Sequence, residues 1–196
     1  TEGAAVVTRE IASLIRLKAG KGQTCVLAIP GGYTPMSVYK ELVRMHREEE
    51  LSFRNVYIFN VNEFFPVNIK QHSNGRILRE YLISKVDLPE GHFFTPDESI
   101  TRENVYEFCQ NYEAKIEELG GLDYIIASIG MVGNLAYNES GSQTGSTTRL
   151  MLLDAQSRTD LQNFYLSSAD VPESAITMGI ATFLAARKAV LLVWGE

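Results

Sequence analysis

Apolar residues recur at helical spacing over residues 4–19, where Val7, Ile11, Leu14 and Ile15 share one face and Gly20 ends the run. The pattern then changes. TCVLAI (24–29) is a continuous apolar run bounded by turn residues, as expected of a strand covered on both faces. After PGGYTP, the stretch MSVYKELVRMHREEE reads as a helix, with Thr34 a natural N-cap and Pro35 suited to the first helical position. NVYIFNV (55–61) is a second buried strand, and NEFFP is its exit loop. Ile77, Leu78, Tyr81, Leu82 and Val86 form a stripe that predicts a helix over 73–85. A short FFTP segment precedes an amphipathic helix at 102–119, closed by Gly120-Gly121. LDYIIASIG (122–130) is a third strand, TRLMLLD reads as a short strand, 180–187 is helical, and KAVLLVWG (188–195) is a last buried strand.

Strands alternating with helices predict an α/β fold: a doubly wound, mainly parallel sheet with helices on both faces. No repeat, low-complexity tract or linker interrupts it, so residues 1–196 read as a single domain. Open sheets of this kind bind ligands beyond the carboxyl ends of their strands. Three loops fall there: PGGYTP, NVNEFFP and GMVGNLAYNES.

Composition narrows the function classes. Hydrophobic residues make up 45% and charged residues 21%, an ordinary globular balance. A net charge of −6 argues against general nucleic-acid binding, while a local pocket for one phosphate remains allowed. Cys25 and Cys109 lack CxxC or metal-ligand spacing and are expected as reduced core thiols in a cytoplasmic protein. No apolar run reaches membrane-spanning length. The chain opens inside a helical pattern and stops on a strand, so it is expected to be a fragment of a longer chain, with a fused domain to be looked for outside it.

Each loop has candidate chemistry. Gly31 and Gly32 permit a tight turn and close approach to a ligand, Thr34 adds a hydroxyl, and the helix that follows offers free N–H groups and the positive end of its dipole. The loop matches neither the Walker A pattern nor GxGxxG, and both a phosphate site and a plain strand-to-helix turn stay open. NVNEFFP carries one acid, Glu63, a candidate base or cap; Asn62 cannot transfer protons near neutral pH. GMVGNLAYNES supplies Gly133, Asn134, Asn138 and Glu139, able to bind a polyol or orient a neighbour. His46, His72 and His92 show no nucleophile or metal spacing; each is expected to be solvated or locally bonded, with His72 the least easily set aside.

Taken together, LAIPGGYTPMSVYKELVRMHREEELSFRNVYIFNVNEF, YEAKIEELGGLDYIIASIG, GNLAYNESGSQTGSTTR and AITMGIATFLAARKAVLLVWG resemble the glucosamine-6-phosphate deaminase (isomerase) family over nearly the whole chain. The 6-phosphogluconolactonases are more distant relatives of the same fold. The resemblance implies a ring-opened amino-sugar phosphate substrate, aldose–ketose interconversion through an enolamine, and release of ammonia. It implies no redox cofactor, and a homo-oligomer is expected.

Residue by residue, the resemblance brings substitutions. In the phosphate loop Gly32, Thr34 and Pro35 are kept, while Gly31 and Tyr33 replace the family's usual residues, removing a hydroxyl and adding a ring. Where the family has an Asp-Glu pair whose Asp is the base, this chain has Asn62-Glu63. In the third loop the family's Asp and His become Val132 and Asn134, while Gly133, Asn138 and Glu139 remain. Arg149 matches a family arginine near a regulatory or subunit contact; the phosphate-clamping arginine falls near Asn163, and its partner lysine just beyond Glu196. Losing one positioned proton-transfer group costs roughly 10²–10⁴ in rate, so the ordinary mechanism is expected to be disabled. Glu63 can substitute only if it turns into the site. Three functions follow as expectations: an enzyme with altered chemistry acting through Glu63 and Glu139, a non-catalytic sugar-phosphate sensor or regulatory module, and a structural subunit with a dead pocket.

Overall fold

The computed structural model describes residues 2–70, 72–130, 133–162, 165, 167 and 170–193. Its strands and helices alternate as expected, starting with α1 (Glu2–Gly20), β1 (Cys25–Ile29), α2 (Met36–Glu48) and β2 (Val56–Asn60). Next come β3 (Asn62–Phe65), α3 (Asn74–Tyr81), a 3₁₀ turn at Ile83–Lys85, β4 (Phe93–Phe94), α4 (Val105–Glu118) and β5 (Tyr124–Ser128). β6 (Arg149–Leu152), α5 (Ala155–Leu161), β7 (Ser174–Thr177), α6 (Ile180–Ala185) and β8 (Ala189–Leu192) follow.

The central sheet is five-stranded and parallel, in the order β4-β2-β1-β5-β8. Successive strand residues point to opposite faces, and each face has its own core. Cys25, Leu27 and Ile29 pack with Ile11 and Ile15 of α1, Tyr39 and Leu42 of α2, and Leu78 of α3. Val26 and Ala28 pack on the other side with Tyr112 and Ile116 of α4 and Phe183 of α6. Helices therefore cover both faces, as the alternation predicts. Both cysteines are buried free thiols, and burial raises Cys25 to about 12 and Cys109 to about 11.

Three local expectations are corrected. NEFF is a strand and not an exit loop: β3 pairs antiparallel with β7, and β7 with β6, in a second, three-stranded sheet. Its four residues are all buried, Phe64 and Phe65 on opposite faces, a run too short and too polar at its start to be read as a strand. Helix α2 begins at Met36 with Pro35 in the cap position, so Thr34 does not cap it. β8 is an edge strand paired only with β5, which leaves Leu191 53% exposed where a fully buried strand was expected.

No helix among the described residues is long and apolar enough to cross a membrane.

Candidate functional site

β1, β2 and β5 all end on the same side of the parallel sheet, and the chain leaving each converges there on a pocket of ≈ 190 Å³. The first loop contributes Gly31, Gly32, Tyr33 and Thr34; the second contributes Asn62, His72 and Asn74. Ser128, Gly130, Asn134, Ala136 and Tyr137 close it from β5 and the loop beyond, with Leu161 of α5 below. A larger cavity of ≈ 1100 Å³ lies between α4 and β6, against side chains such as Val105, Ile116 and Leu150. It takes nothing from the three loops, and we place the site in the smaller pocket.

The first loop is shaped by its glycines. A Cβ on Gly31 would lie 2.3 Å from the Asn74 Cα, so the loop sits directly against the start of α3. Gly32 has φ +116°, a backbone region that side chains other than glycine rarely adopt. The N–H groups of Gly31 and Gly32 make no hydrogen bond among the described residues. Gly31→Ala forces that contact apart and is expected to lower stability by about 1–3 kcal/mol. A shift in the urea unfolding midpoint checks this.

Glu63, the candidate base, is 1% exposed and turned onto α3. Its Oε1 accepts the N–H groups of Phe64 (2.9 Å) and Asn74 (3.0 Å), and its Oε2 accepts the Gly75 N–H (2.7 Å) and the Ser73 hydroxyl (2.9 Å). Burial raises this carboxyl above the ordinary glutamate range, while the Gly75, Asn74, Ser73 and Phe64 donors pull it back. Ser73 in turn caps α3 by accepting the Arg76 N–H. Asn74, which sequence reasoning missed, donates through Nδ2 to the Asn62 side-chain oxygen at 2.7 Å and carbonyl at 3.1 Å. That bond fixes the Asn62 amide at the wall of the pocket. The available signal for Asn74 was its place directly after a Ser N-cap, at the first position of a helix.

In the third loop, Asn134 Nδ2 reaches Glu139 Oε2 at 3.3 Å and Ser157 Oγ at 3.2 Å. Asn134 Oδ1 and Glu139 Oε1 are buried without a partner among the described residues. Burial raises the Glu139 carboxyl; the Ser157 hydroxyl lowers it, and neighbouring Asp154 raises it again. Asn138 does not open to the pocket: its Nδ2 donates to the Leu135 and Met178 carbonyls, and its Oδ1 accepts from Arg149 at 2.9 Å. Ala136 and Tyr137 both have positive φ, 48° and 63°, a strained arrangement tied down where Thr177 Oγ1 donates to the Ala136 carbonyl. Gly133, also at positive φ, is not among the lining residues. Val132 and Asn163 lie outside the described residues.

His46 and His92 are locally bonded, to the Leu51 and Val56 carbonyls. His72 differs. It lines the pocket, with its ring 5.6 Å from Phe64, 6.1 Å from Tyr165 and 6.3 Å from Tyr33. Burial, then the Arg76 charge, lowers its pKa, which favours the neutral imidazole. Among the described residues no group of His, Cys, Asp and Glu could hold a metal ion.

These features define a doubly wound α/β domain with a small polar pocket at the carboxyl ends of its parallel strands. The model of the family described as glucosamine-6-phosphate isomerases/6-phosphogluconolactonase matches residues 1–136, and the chain belongs to that family. It is 47% identical over its full length to a putative glucosamine-6-phosphate deaminase-like protein of Bacteroides thetaiotaomicron, of which it spans 30%. It is 34% identical to the glucosamine-6-phosphate deaminase of Malacoplasma penetrans over 87% of this chain and 71% of that one. The solved structure of a monomeric glucosamine-6-phosphate deaminase superposes with a TM-score of 0.88 at 28% identity, over 96% of this chain and 76% of that one. A 6-phosphogluconolactonase from Thermotoga maritima shares the fold, with a TM-score of 0.74 at 18% identity over 98% and 80% of the two chains.

Proposed function

We propose that this domain binds a hexose 6-phosphate in the pocket between its three loops and does not perform the deaminase reaction. One observation carries the reading. Among the described residues that line the pocket, none is Asp, Glu, Lys or Arg. Asn62 stands where the resemblance expects a base, held by Asn74. Glu63 cannot replace it from the adjacent position, because both of its oxygens are engaged by α3 and β3.

The phosphate has a place even without a cation in the wall. The N–H groups of Gly31 and Gly32 are available, and α2 begins a few residues further on with the positive end of its dipole. The sugar would then lie towards Asn62, Asn134 and Tyr137, with Tyr33, 59% exposed, at the mouth. A volume of ≈ 190 Å³ is below the ~300–1,000 Å³ of drug-sized sites, which suits one small polar ligand.

Calorimetric titration with glucosamine, N-acetylglucosamine, glucose and fructose 6-phosphates tests this, with the unphosphorylated sugars as controls. Saturable binding of at least one phosphate, with ammonia release from glucosamine 6-phosphate no faster than the buffer rate, is the expected result. Rapid ammonia release, or no binding by any of the four, overturns the proposal. His72 favours a second reading, an enzyme with altered chemistry, because a neutral imidazole in the pocket wall can accept a proton. Slow turnover that disappears in His72→Gln while binding persists would establish it.

A further inference from the structure

The polar groups of the pocket wall set which sugar phosphate it takes. We infer that the site selects a sugar phosphate that carries no cationic amine: a hexose phosphate with hydroxyls only, or one whose amine is acylated. This rests on the sugar-phosphate reading above and names the ligand within it.

An ammonium buried in a protein needs a carboxylate or several well-placed acceptors, because the lost hydration is costly. Among the described residues the lining has no carboxylate. The Asn62 side-chain oxygen already accepts from Asn74, and the Asn138 side chain is consumed by Leu135, Met178 and Arg149. The two nearby carboxylates stand behind the lining. Glu63 has both oxygens filled by donors of β3 and the α3 start, and Glu139 leans on Asn134 with Asp154 and Ser157 beside it.

Asn134 belongs to the wall, but its Oδ1 is buried against Gly130 and is not open to the pocket. The neutral amide and hydroxyl groups of the lining, such as Asn62 and Thr34, suit a neutral donor, a sugar hydroxyl or the N–H of an acylated amine, because neither brings a charge that must be desolvated. Burial, then the Arg76 charge, lowers the His72 pKa, which favours the neutral imidazole in the lining. Among the described residues the lining thus has no Asp, Glu, Lys or Arg, which suits a ligand whose only charge is its phosphate.

The wild-type protein titrated calorimetrically with glucosamine, N-acetylglucosamine and glucose 6-phosphates tests the inference. An amine beside electron-withdrawing groups, like an α-amino group, titrates near ~8, so the comparison is made at about pH 6.5 and about pH 9. The ratio of affinities at one pH cancels the ionisation of the phosphate, which all three share. At the lower pH the tighter of the two ligands without a cationic amine is expected to bind at least about tenfold more tightly than glucosamine 6-phosphate, and the gap is expected to close at the higher pH. Asn62→Asp, which returns a carboxylate to the wall, is expected to reverse the preference. Glucosamine 6-phosphate binding as tightly as the others at the lower pH would overturn the selectivity and leave the sugar-phosphate reading standing. Failure of all three to bind would overturn the selectivity, and if fructose 6-phosphate fails as well, the sugar-phosphate reading falls with it.

Discussion

Returning aspartate to position 62, with aspartate at 132 and histidine at 134, is expected to raise ammonia release from glucosamine 6-phosphate by at least about 10²-fold over the wild-type protein. The structure is prepared for the first of these changes. Asn74 Nδ2 already donates to the Asn62 side-chain oxygen, and a carboxylate of the same shape accepts that bond unchanged. Asn62 lines the pocket, so a carboxylate at this position is placed to act as a base on a ligand bound there. Burial around the new carboxyl raises its pKa towards a working base.

Histidine at 134 meets a site that is equally in place. Asn134 now reaches Glu139 and Ser157, so an imidazole there has a carboxylate beside it to fix its tautomer and orientation. Proton-transfer groups that act as a relay are not additive, so Asn62→Asp alone is expected to recover only part of the gain. A triple variant that folds and binds glucosamine 6-phosphate but releases no more ammonia than the wild type would contradict the account. The defect would then lie beyond proton transfer, and Tyr33, the ring added to the phosphate loop, would be the next position to revert.

Apart from β4, two residues long and read only as a short segment, the strands of the central sheet were legible because their signal is local in period. Strands such as TCVLAI are buried on both faces, and helices such as 102–119 carry one apolar stripe, so no tertiary knowledge was needed to separate them. β3 and β7 were not legible. Each is four residues long and is defined by its partner in the second sheet, a pairing across more than a hundred residues that no short window contains. β8 misled for the opposite reason: its apolar run satisfies the pattern of a covered strand, while its position at the sheet edge decides its exposure.

The site divides in the same way. The first loop was legible from its glycines, and the resemblance marked positions 62 and 134 as sites of exchange; Val132 lies outside the described residues. The direction in which each side chain points was not legible. Asn138 and Glu139 were candidates because of their place in the loop, yet Asn138 closes onto Arg149 and the Met178 carbonyl. Asn74 and Tyr137 enter only through the packing of α3 and the turn at Ala136–Tyr137.

Glu63→Ala is expected to destabilise the fold by about 3 kcal/mol or more and to abolish ligand binding, because four buried donors lose their acceptor at once. Each orphaned donor costs roughly 1–3 kcal/mol, and the sum is not reached because water enters the space left and the losses are coupled. The consequence for binding follows from what the carboxylate holds. It fixes Ser73, Asn74 and Gly75 at the start of α3; Asn74 then fixes the Asn62 amide, and Gly31 rests directly against the Asn74 backbone. Two of the three loops therefore depend on one buried side chain. Glu63→Gln separates this positioning role from a catalytic one. The amide keeps one accepting oxygen but turns an NH₂ group towards two donors, so urea unfolding is expected to show a smaller loss, about 1–3 kcal/mol. A glutamine variant as stable as the wild type, with ligand affinity unchanged, would sink the positioning role and leave a role as base as the alternative. A base must reach the substrate, however, and this carboxylate is 1% exposed with both oxygens occupied. The pair at 62 and 63 divides its labour: the first residue faces the pocket, and the second holds the wall that makes it.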